Sequence, residues 1–276
     1  MTRRTIGVMA KTAADGREAA QLLARRGAEV VSGAELATAD VVLVLGGDGT
    51  LLRAANRLRD TAIPIIAVNF GHVGFLAEAE PESLADVIDK LVAGNYRVEE
   101  RLALDICVTT ATGKVTRGWA LNELAVEKAA RGKMVDLAMA VDAQPVSSYS
   151  CDAMVISTPT GSTAYAFSGG GPVVWPDVEA ILIVPIAAHA LFSRPLVVAP
   201  DSLIELRVTP GTSDAEIWLD GSRSLPAPIG STISIRRAAK PVSLARLEAV
   251  PFAGRLVAKF DLPVHSFKYR LGVQRR

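Results

Sequence analysis

Five apolar residues run directly into two glycines, an aspartate and a third glycine in Val41-Val42-Leu43-Val44-Leu45-Gly46-Gly47-Asp48-Gly49-Thr50. Three of the five are β-branched and none is polar, so the run reads as a strand buried on both faces of a sheet. The glycines suit a turn with positive φ and let backbone N–H groups approach a ligand closely. Leu51, Leu52, Ala54, Ala55 and Leu58 follow at helical spacing, with Thr50 as the expected cap. Strand, glycine-rich loop and helix N-terminus form the arrangement that binds phosphate through unpaired amides and the helix dipole. A carboxylate within it repels phosphate unless it holds a metal or takes a proton, which makes Asp48 the first candidate for chemistry. The plain structural alternative is a βα turn with Asp48 as a helix cap. The spacing fits neither the dinucleotide fingerprint G-x-G-x-x-G nor the Walker loop.

The flanking chain alternates strands and helices. Residues 6–9, 28–31 and 64–69 read as strands. A helix starts at Asp15 and stops at Gly27; another is opened by Pro81, carries Leu84, Val87, Ile88, Leu91 and Val92, and ends at Gly94. Residues 1–100 are therefore expected to form a Rossmann-like, three-layer α/β domain. Ligands of such sheets bind at the carboxyl ends of the strands, where both glycine-rich loops, 46–50 and 70–75, fall. Beyond Glu100 the pattern changes. Segments 102–108, 119–126, 134–141, 155–156, 181–184, 204–208, 217–219, 233–235 and 242–247 read as strands, with turns at 112–113, 143–145 and 220–221. No long helical pattern interrupts them. Residues 101–253 are expected to form an all-β sandwich, with 254–276 rejoining the first domain.

Charge and cysteine content narrow the functional classes. Lys and Arg number 30 against 29 Asp and Glu, so no global field attracts nucleic acid or an anionic membrane. Cys107 and Cys151 are too few for a disulfide framework and join no metal-ligand pattern. The N-terminus reads as a strand rather than a signal peptide, and no apolar run reaches the ~20 residues that span a bilayer. The expected location is the cytoplasm.

A second dense stretch lies in the β half: Ser157-Thr158-Pro159-Thr160-Gly161-Ser162-Thr163-Ala164-Tyr165-Ala166-Phe167-Ser168-Gly169-Gly170-Gly171-Pro172. Small hydroxyl residues and glycines make a poor core but suit a loop that wraps a polar ligand with N–H and hydroxyl donors. Tyr165 offers a face on which a base or a nicotinamide stacks. Long connections of this kind in compact domains are usually functional. Asn122-Glu123 reads as a polar pair in the middle of strand 119–126, costly to bury unless it meets a ligand.

Gly-Gly-Asp-Gly-Thr resembles a loop shared by NAD kinases, diacylglycerol-type lipid kinases and, more distantly, phosphofructokinases. Pro159-Thr160-Gly161-Ser162-Thr163-Ala164-Tyr165 resembles the signature of the NAD kinase family, which lipid kinases lack. Asn122-Glu123 and the run Pro185-Ile186-Ala187-Ala188-His189-Ala190-Leu191-Phe192-Ser193-Arg194-Pro195 are similar to two further motifs of that family, in family order. The resemblance implies transfer of the γ-phosphoryl of ATP, with a divalent metal (magnesium expected), to the 2′-hydroxyl of the adenosine ribose of NAD. Under it, Asp48 accepts the hydroxyl proton, although the residues leave open whether it instead holds the metal. Gly46, Gly47, Gly49 and Thr50 shape the loop around phosphates, with Arg53 near them, and Phe75 borders adenine. Asn122 and Glu123 bind adenine and ribose, and Asp152 the nicotinamide end. Thr160, Thr163, Ala164, Tyr165, Ala166, Phe167 and Ser168 wrap the dinucleotide, while Ala187, Lys133 and Ser150 add contacts. The resemblance also implies a homo-oligomer, a dimer or tetramer, with no nucleic-acid or membrane partner.

Two departures from the family pattern stand out. Ala153 follows Asp152 where many relatives have Gly, and Ser222 replaces the Gln that commonly follows the late Asp-Gly pair. Three readings remain open from the residues: an NAD kinase, a lipid kinase sharing the Asp48 loop, and a non-catalytic dinucleotide sensor. Nothing in the sequence chooses between NAD and NADH, or between ATP and polyphosphate.

Overall fold

The computed structural model describes residues 3–69, 74–77, 84–211, 213–247 and 251–264. The chain divides into two compact units, one of residues 1–100 and 243–276, the other of 101–242.

The first unit is α/β. Its elements are β1 (Thr5–Ala10), α1 (Ala13–Arg25), β2 (Glu29–Val31), β3 (Val41–Leu45), α2 (Asp48–Arg57), β4 (Ile65–Val68), α3 (Leu84–Ala93) and β5 (Arg97–Arg101). All five residues of β3 and all four of β4 are buried, as expected of strands inside a parallel sheet. β1 pairs in parallel with β2 and β3, and β3 with β4. Helix α1 starts earlier than the sequence suggests. Thr12 is its N-cap and its hydroxyl accepts from the Asp15 amide at 3.2 Å, which leaves Asp15 to face the helix dipole from the first turn. Pro81 lies outside the described residues; α3 is described from Leu84 and stops before Gly94, whose φ is +77°.

Among the described residues the second unit is all-β apart from a 3-10 turn (Thr160–Thr163) and one short α-helix. Its strands are β6 (Leu104–Thr109), β7 (Val115–Ala120), β8 (Glu123–Lys128), β9 (Val135–Val141), β10 (Gln144–Cys151) and β11 (Ala153–Ser157). After α4 (Tyr165–Ser168) come β12 (Ile181–Ile186), β13 (Leu196–Val198), β14 (Ile204–Val208), β15 (Ala215–Leu219), β16 (Arg223–Ala227) and β17 (Thr232–Arg237). They form two six-stranded sheets, β10-β9-β14-β17-β6-β7 and β13-β12-β11-β8-β15-β16. Alternate residues such as Leu104, Ile106, Val108, Leu124, Val126 and Ile217 form a single apolar core.

The chain then returns to the first unit as β18 (Val242–Arg246) and α5 (Phe252–Phe260). This corrects the expectation that strand 242–247 belongs to the sandwich. Leu244 pairs in parallel with Ile65 of β4, and β18 sits between β4 and β5. Two further readings change. Strand 119–126 is two strands in different sheets, broken at Leu121-Asn122. The turn expected at 143–145 lies at Asp142-Ala143, both left-handed (φ 52° and 63°), and Gln144 and Pro145 already belong to β10.

Leu124 is fully buried in the sandwich core. Leu124→Ala is expected to cost about 2–5 kcal/mol, measurable as a lower urea midpoint with far-UV circular dichroism of the folded state unchanged.

Candidate active site

In the first unit the glycine-rich loop joins β3 to α2. Gly46 adopts φ +154°, and a Cβ there would lie 2.6 Å from Thr50 Oγ1, so only glycine lets the loop close over the helix. Gly47, not Thr50, is the N-cap. Thr50 is buried one turn in; its hydroxyl accepts from Arg53 Nη2 at 3.2 Å, which turns the exposed Arg53 toward the loop. The Thr50 and Leu51 amides both return to the Gly47 carbonyl (2.9 and 3.2 Å), leaving the Asp48 and Gly49 amides as the free first-turn donors.

The Asp48 carboxylate does not cap its own helix. Its Oδ2 accepts from the Phe75 amide (3.0 Å), and its Oδ1 from the amides of Leu76 and Ala77 (both 3.1 Å). Gly74 is obligatory beside it, since a Cβ would come within 2.2 Å of Asp48 Oδ1. Arg246 Nη1 donates to the Leu76 carbonyl (2.6 Å) and Arg255 Nη1 to the Phe75 carbonyl (3.2 Å), so three charged side chains hold segment 74–77. The Phe75 ring packs on Phe252 and Phe260 of α5, with centroids 5.9 and 5.8 Å away. A cavity of about 500 Å³ opens where β1, β3 and β4 end, lined by Lys11, Asp15, Gly46 and Asn69 among others. His72 and His265 lie outside the described residues.

In the second unit the break at Leu121-Asn122 organises the site. The chain leaves one sheet there and enters the other, so these amides have no strand partner. Asp220, in the left-handed turn between β15 and β16 (φ 48°), supplies one. Its carboxylate accepts from Leu121 N (3.0 and 3.1 Å) and Asn122 N (2.7 Å), and pairs with Arg223 at 2.8 Å. Burial pushes Asp220 up; the Asn122 and Leu121 amides and the Arg223 guanidinium pull it back.

The stretch 157–168 locks onto the same break. Thr158 Oγ1 donates to the Leu121 carbonyl (2.6 Å), Ser157 Oγ to that of Asn122 (3.2 Å), and Ser162 Oγ exchanges two bonds with the Val174 backbone. A Cβ on Gly161 would sit 2.2 Å from the Asn122 carbonyl oxygen. These hydroxyls therefore build the loop rather than wrap a ligand, which corrects their expected role. The Thr160, Thr163 and Ser168 hydroxyls have no partner among the described residues. Thr160 and Ala166 are buried, whereas Tyr165 and Phe167 are exposed on α4 and Ala164 caps it.

Among the buried side-chain atoms without a hydrogen-bond partner are two on neighbouring residues, Asn122 Oδ1 and Glu123 Oε2, on residues only 9% and 7% exposed. Glu123 lines a recess of about 410 Å³ with Ala125, Glu127, Tyr165, Trp218 and Gly221. Burial first, and Asp220 second, push Glu123 up to about 8, against the pull of the Tyr165 amide. Asp152, at the bend between β10 and β11, pairs with Lys128, and its amide donates to the Ile186 carbonyl at 3.1 Å. Ala187 follows in the left-handed region (φ 47°), and His189 then bridges Ser150 through backbone bonds of 2.8 and 3.5 Å. His189 is thus a structural pairing position. Lys133 sits on the exposed connection between β8 and β9, and Ser222 is exposed in the β15–β16 hairpin. Asp220, Arg246, Arg255, Glu127 and Trp218 escaped the sequence reading. The left-handed Asp220-Gly221 turn gave a local signal for only the first of these.

Known proteins agree with this organisation. Residues 12–96 match the ATP-NAD kinase N-terminal domain family, and residues 121–247 the ATP-NAD kinase C-terminal domain family. The NAD kinase of Thermobifida fusca is 51% identical over 248 residues, covering 88% of this chain and 74% of that protein. That of Mycobacterium tuberculosis is 50% identical over 229 residues, covering 83% and 75%. The crystal structure of an NAD kinase from Archaeoglobus fulgidus in complex with ATP superposes with a TM-score of 0.78 at 30% identity, covering 94% of this chain and 100% of that one.

Glu123 yields a pH signature. The folded chain holds a proton to about pH 8 that an ordinary glutamate, at 4.5, has released. The folded state then binds more protons than the unfolded one, so this group's contribution to stability falls as pH rises through that window and levels off above it. The melting temperature of Glu123→Gln minus that of the unaltered protein should therefore grow between about pH 5 and about pH 8. A difference independent of pH would show that Glu123 ionises normally.

Proposed function

The chain belongs to the NAD kinase family, and we propose that it moves the γ-phosphoryl of ATP onto the 2′-hydroxyl of the adenosine ribose of NAD. One observation carries the reading: a single chain combines a phosphotransferase loop around Asp48 with two buried, unpartnered polar atoms, Asn122 Oδ1 and Glu123 Oε2. Family membership removes the lipid-kinase reading, since the relatives at about half identity are named NAD kinase.

Phosphoryl transfer asks mainly for positioning and charge neutralisation. The free Asp48 and Gly49 amides, at the positive end of α2, meet the transferring phosphates, and the cation of Arg53 stands beside them. Three amides fix the Asp48 carboxylate in place, and one Oδ2 lone pair remains to take the hydroxyl proton late in transfer. Among the described residues no three His, Cys, Asp or Glu side chains cluster as a metal site. A magnesium ion would accompany the donor phosphates and supply charge neutralisation there; on the protein side Asp48 would hold it only in place of accepting the proton, since both roles call on the same Oδ2 lone pair. In the second unit Asn122, Glu123, Asp152, Thr163, Tyr165 and Ser168 carry dinucleotide identity. We propose a homo-oligomer, a dimer or tetramer, on the support of exposed Leu191, Phe192 and Val197.

NADP formation from NAD and ATP-Mg is the direct assay, and polyphosphate in place of ATP tests donor choice. Asp48→Asn should lose at least ~10²-fold in kcat, the scale of a lost general base, with the Kd for NAD little changed. Near-normal turnover would remove Asp48 from catalysis. Light scattering at the assay concentration tests assembly; a fully active monomer would overturn it.

A further inference from the structure

Two buried arginines are directed at main-chain oxygens beside Asp48, and the fold alone does not require them. Arg246 is 2% and Arg255 5% exposed. Arginine is rarely buried unless it is paired, and an apolar side chain would fill either place without the cost of desolvating a cation. Both reach segment 74–77 from the returning end of the chain: Arg246 of β18 donates to the Leu76 carbonyl at 2.6 Å, and Arg255 of α5 to the Phe75 carbonyl at 3.2 Å. Arg246 is itself held from β5 by Glu99, at 3.3 Å. The Phe75 carbonyl shares a peptide plane with the Leu76 amide, and the Leu76 carbonyl shares one with the Ala77 amide. Those two amides are the ones that donate to Asp48 Oδ1, each at 3.1 Å. Among the described residues Oδ2 receives one amide, that of Phe75, at 3.0 Å.

In a planar trans peptide the C=O and the N–H point in opposite directions. A guanidinium that fixes the oxygen therefore aims the N–H, and its charge polarises the peptide so that the N–H is a stronger donor. Arginine, peptide and carboxylate form a chain that occurs twice in parallel, and both chains end on the same oxygen, Oδ1. On the reading that Asp48 accepts the hydroxyl proton, we infer that Arg246 and Arg255 are positioning residues for that transfer. Through the two peptides they pin Oδ1 and leave Oδ2 as the oxygen that meets the acceptor hydroxyl. As the ribose oxygen bonds to the γ-phosphorus and ADP leaves, the hydroxyl proton passes to Oδ2. The returning segment β18–α5, distant from Asp48 in sequence, is then part of the catalytic machinery.

The test is a double-mutant cycle on the full chain, with kcat for NADP formation and the Kd for NAD by calorimetry measured for every variant. Arg246→Met and Arg255→Met remove the donor and the charge at similar length. Each should lower kcat about 10- to 100-fold, the scale of a misplaced reacting group, with the Kd for NAD within about 3-fold. In the Asp48→Asn background no carboxylate is left to place, so the same substitutions should change the residual kcat by less than about 2-fold. Loss of folded protein would instead lower kcat by the same factor in both backgrounds. Arg246→Lys and Arg255→Lys keep the cation without the planar fork and should recover part of the lost turnover. Where a methionine variant does not fold, the lysine variant takes its place in the cycle, with the same pattern expected on a loss of about 3-fold. Equal factors in the two backgrounds, or an unchanged kcat, overturn the inference while the role of Asp48 stands. Near-normal turnover of Asp48→Asn alone overturns both.

Discussion

Backbone amides that neither strand nor helix can satisfy decide where the carboxylates of this protein go. An unpaired buried amide costs as much as a lost hydrogen bond, and a carboxylate can satisfy several at once. The solution occurs twice. In the α/β unit Asp48 takes the amides of Phe75, Leu76 and Ala77, and in the sandwich Asp220 takes those of Leu121 and Asn122. Each carboxylate anchors an irregular segment that leads directly to candidate ligand residues. Regular ladders could not present Asn122 and Glu123 in this way, because pairing would commit their backbone to one sheet.

Much of the fold was legible because it is local. The all-apolar strands β3 and β4 and the stop at Gly94 depend on residues close in sequence. The Asp48 loop and the 157–168 stretch were legible as composition out of place. What escaped reading is long-range. Nothing in residues 242–246 announces that Leu244 will pair with Ile65 rather than with a neighbouring antiparallel strand. The sequence 119–126 looks continuous because apolar residues, Trp119 to Leu121 and Leu124 to Val126, flank Asn122-Glu123 on both sides. Only the departure of one sheet from the other breaks it, and a side chain 98 residues away holds the break. Thr50 looked like a cap by residue type, yet Gly47 has the extended backbone that the position needs. The hydroxyls of Ser157, Thr158 and Ser162 looked like ligand donors, and they meet main-chain groups instead.

These corrections sharpen the division between scaffold and site. Hydroxyls engaged with the Leu121–Asn122 backbone and with Val174 keep the loop rigid, so the remaining Thr160, Thr163 and Ser168 hydroxyls and the Tyr165 ring are presented by a fixed support. A binding group held by packing and a second layer of hydrogen bonds keeps its geometry without the ligand. Asp48 follows the same logic. Three amides orient a carboxylate whose remaining lone pair is its chemistry, and Arg246 and Arg255 in turn hold the segment that donates those amides.

The opposite arrangement marks the recess in the sandwich. A stable protein would pair or remove a buried acid such as Glu123, and would not set Glu127 against Glu216. Elsewhere in the same unit buried or half-buried charge is matched, as Asp220 is by Arg223 and Asp152 by Lys128. Charge pairing is therefore kept at these positions and broken at Glu127 and Glu216. Functional sites are where such violations concentrate, because a ligand completes what the chain leaves unsatisfied. The unsatisfied features here are specific: an open oxygen on Glu123, and two facing glutamates beside the Tyr165 and Trp218 rings. Each is a demand on the chemistry of the ligand, and the open oxygen on buried Glu123 asks for a molecule with a hydrogen-bonding edge.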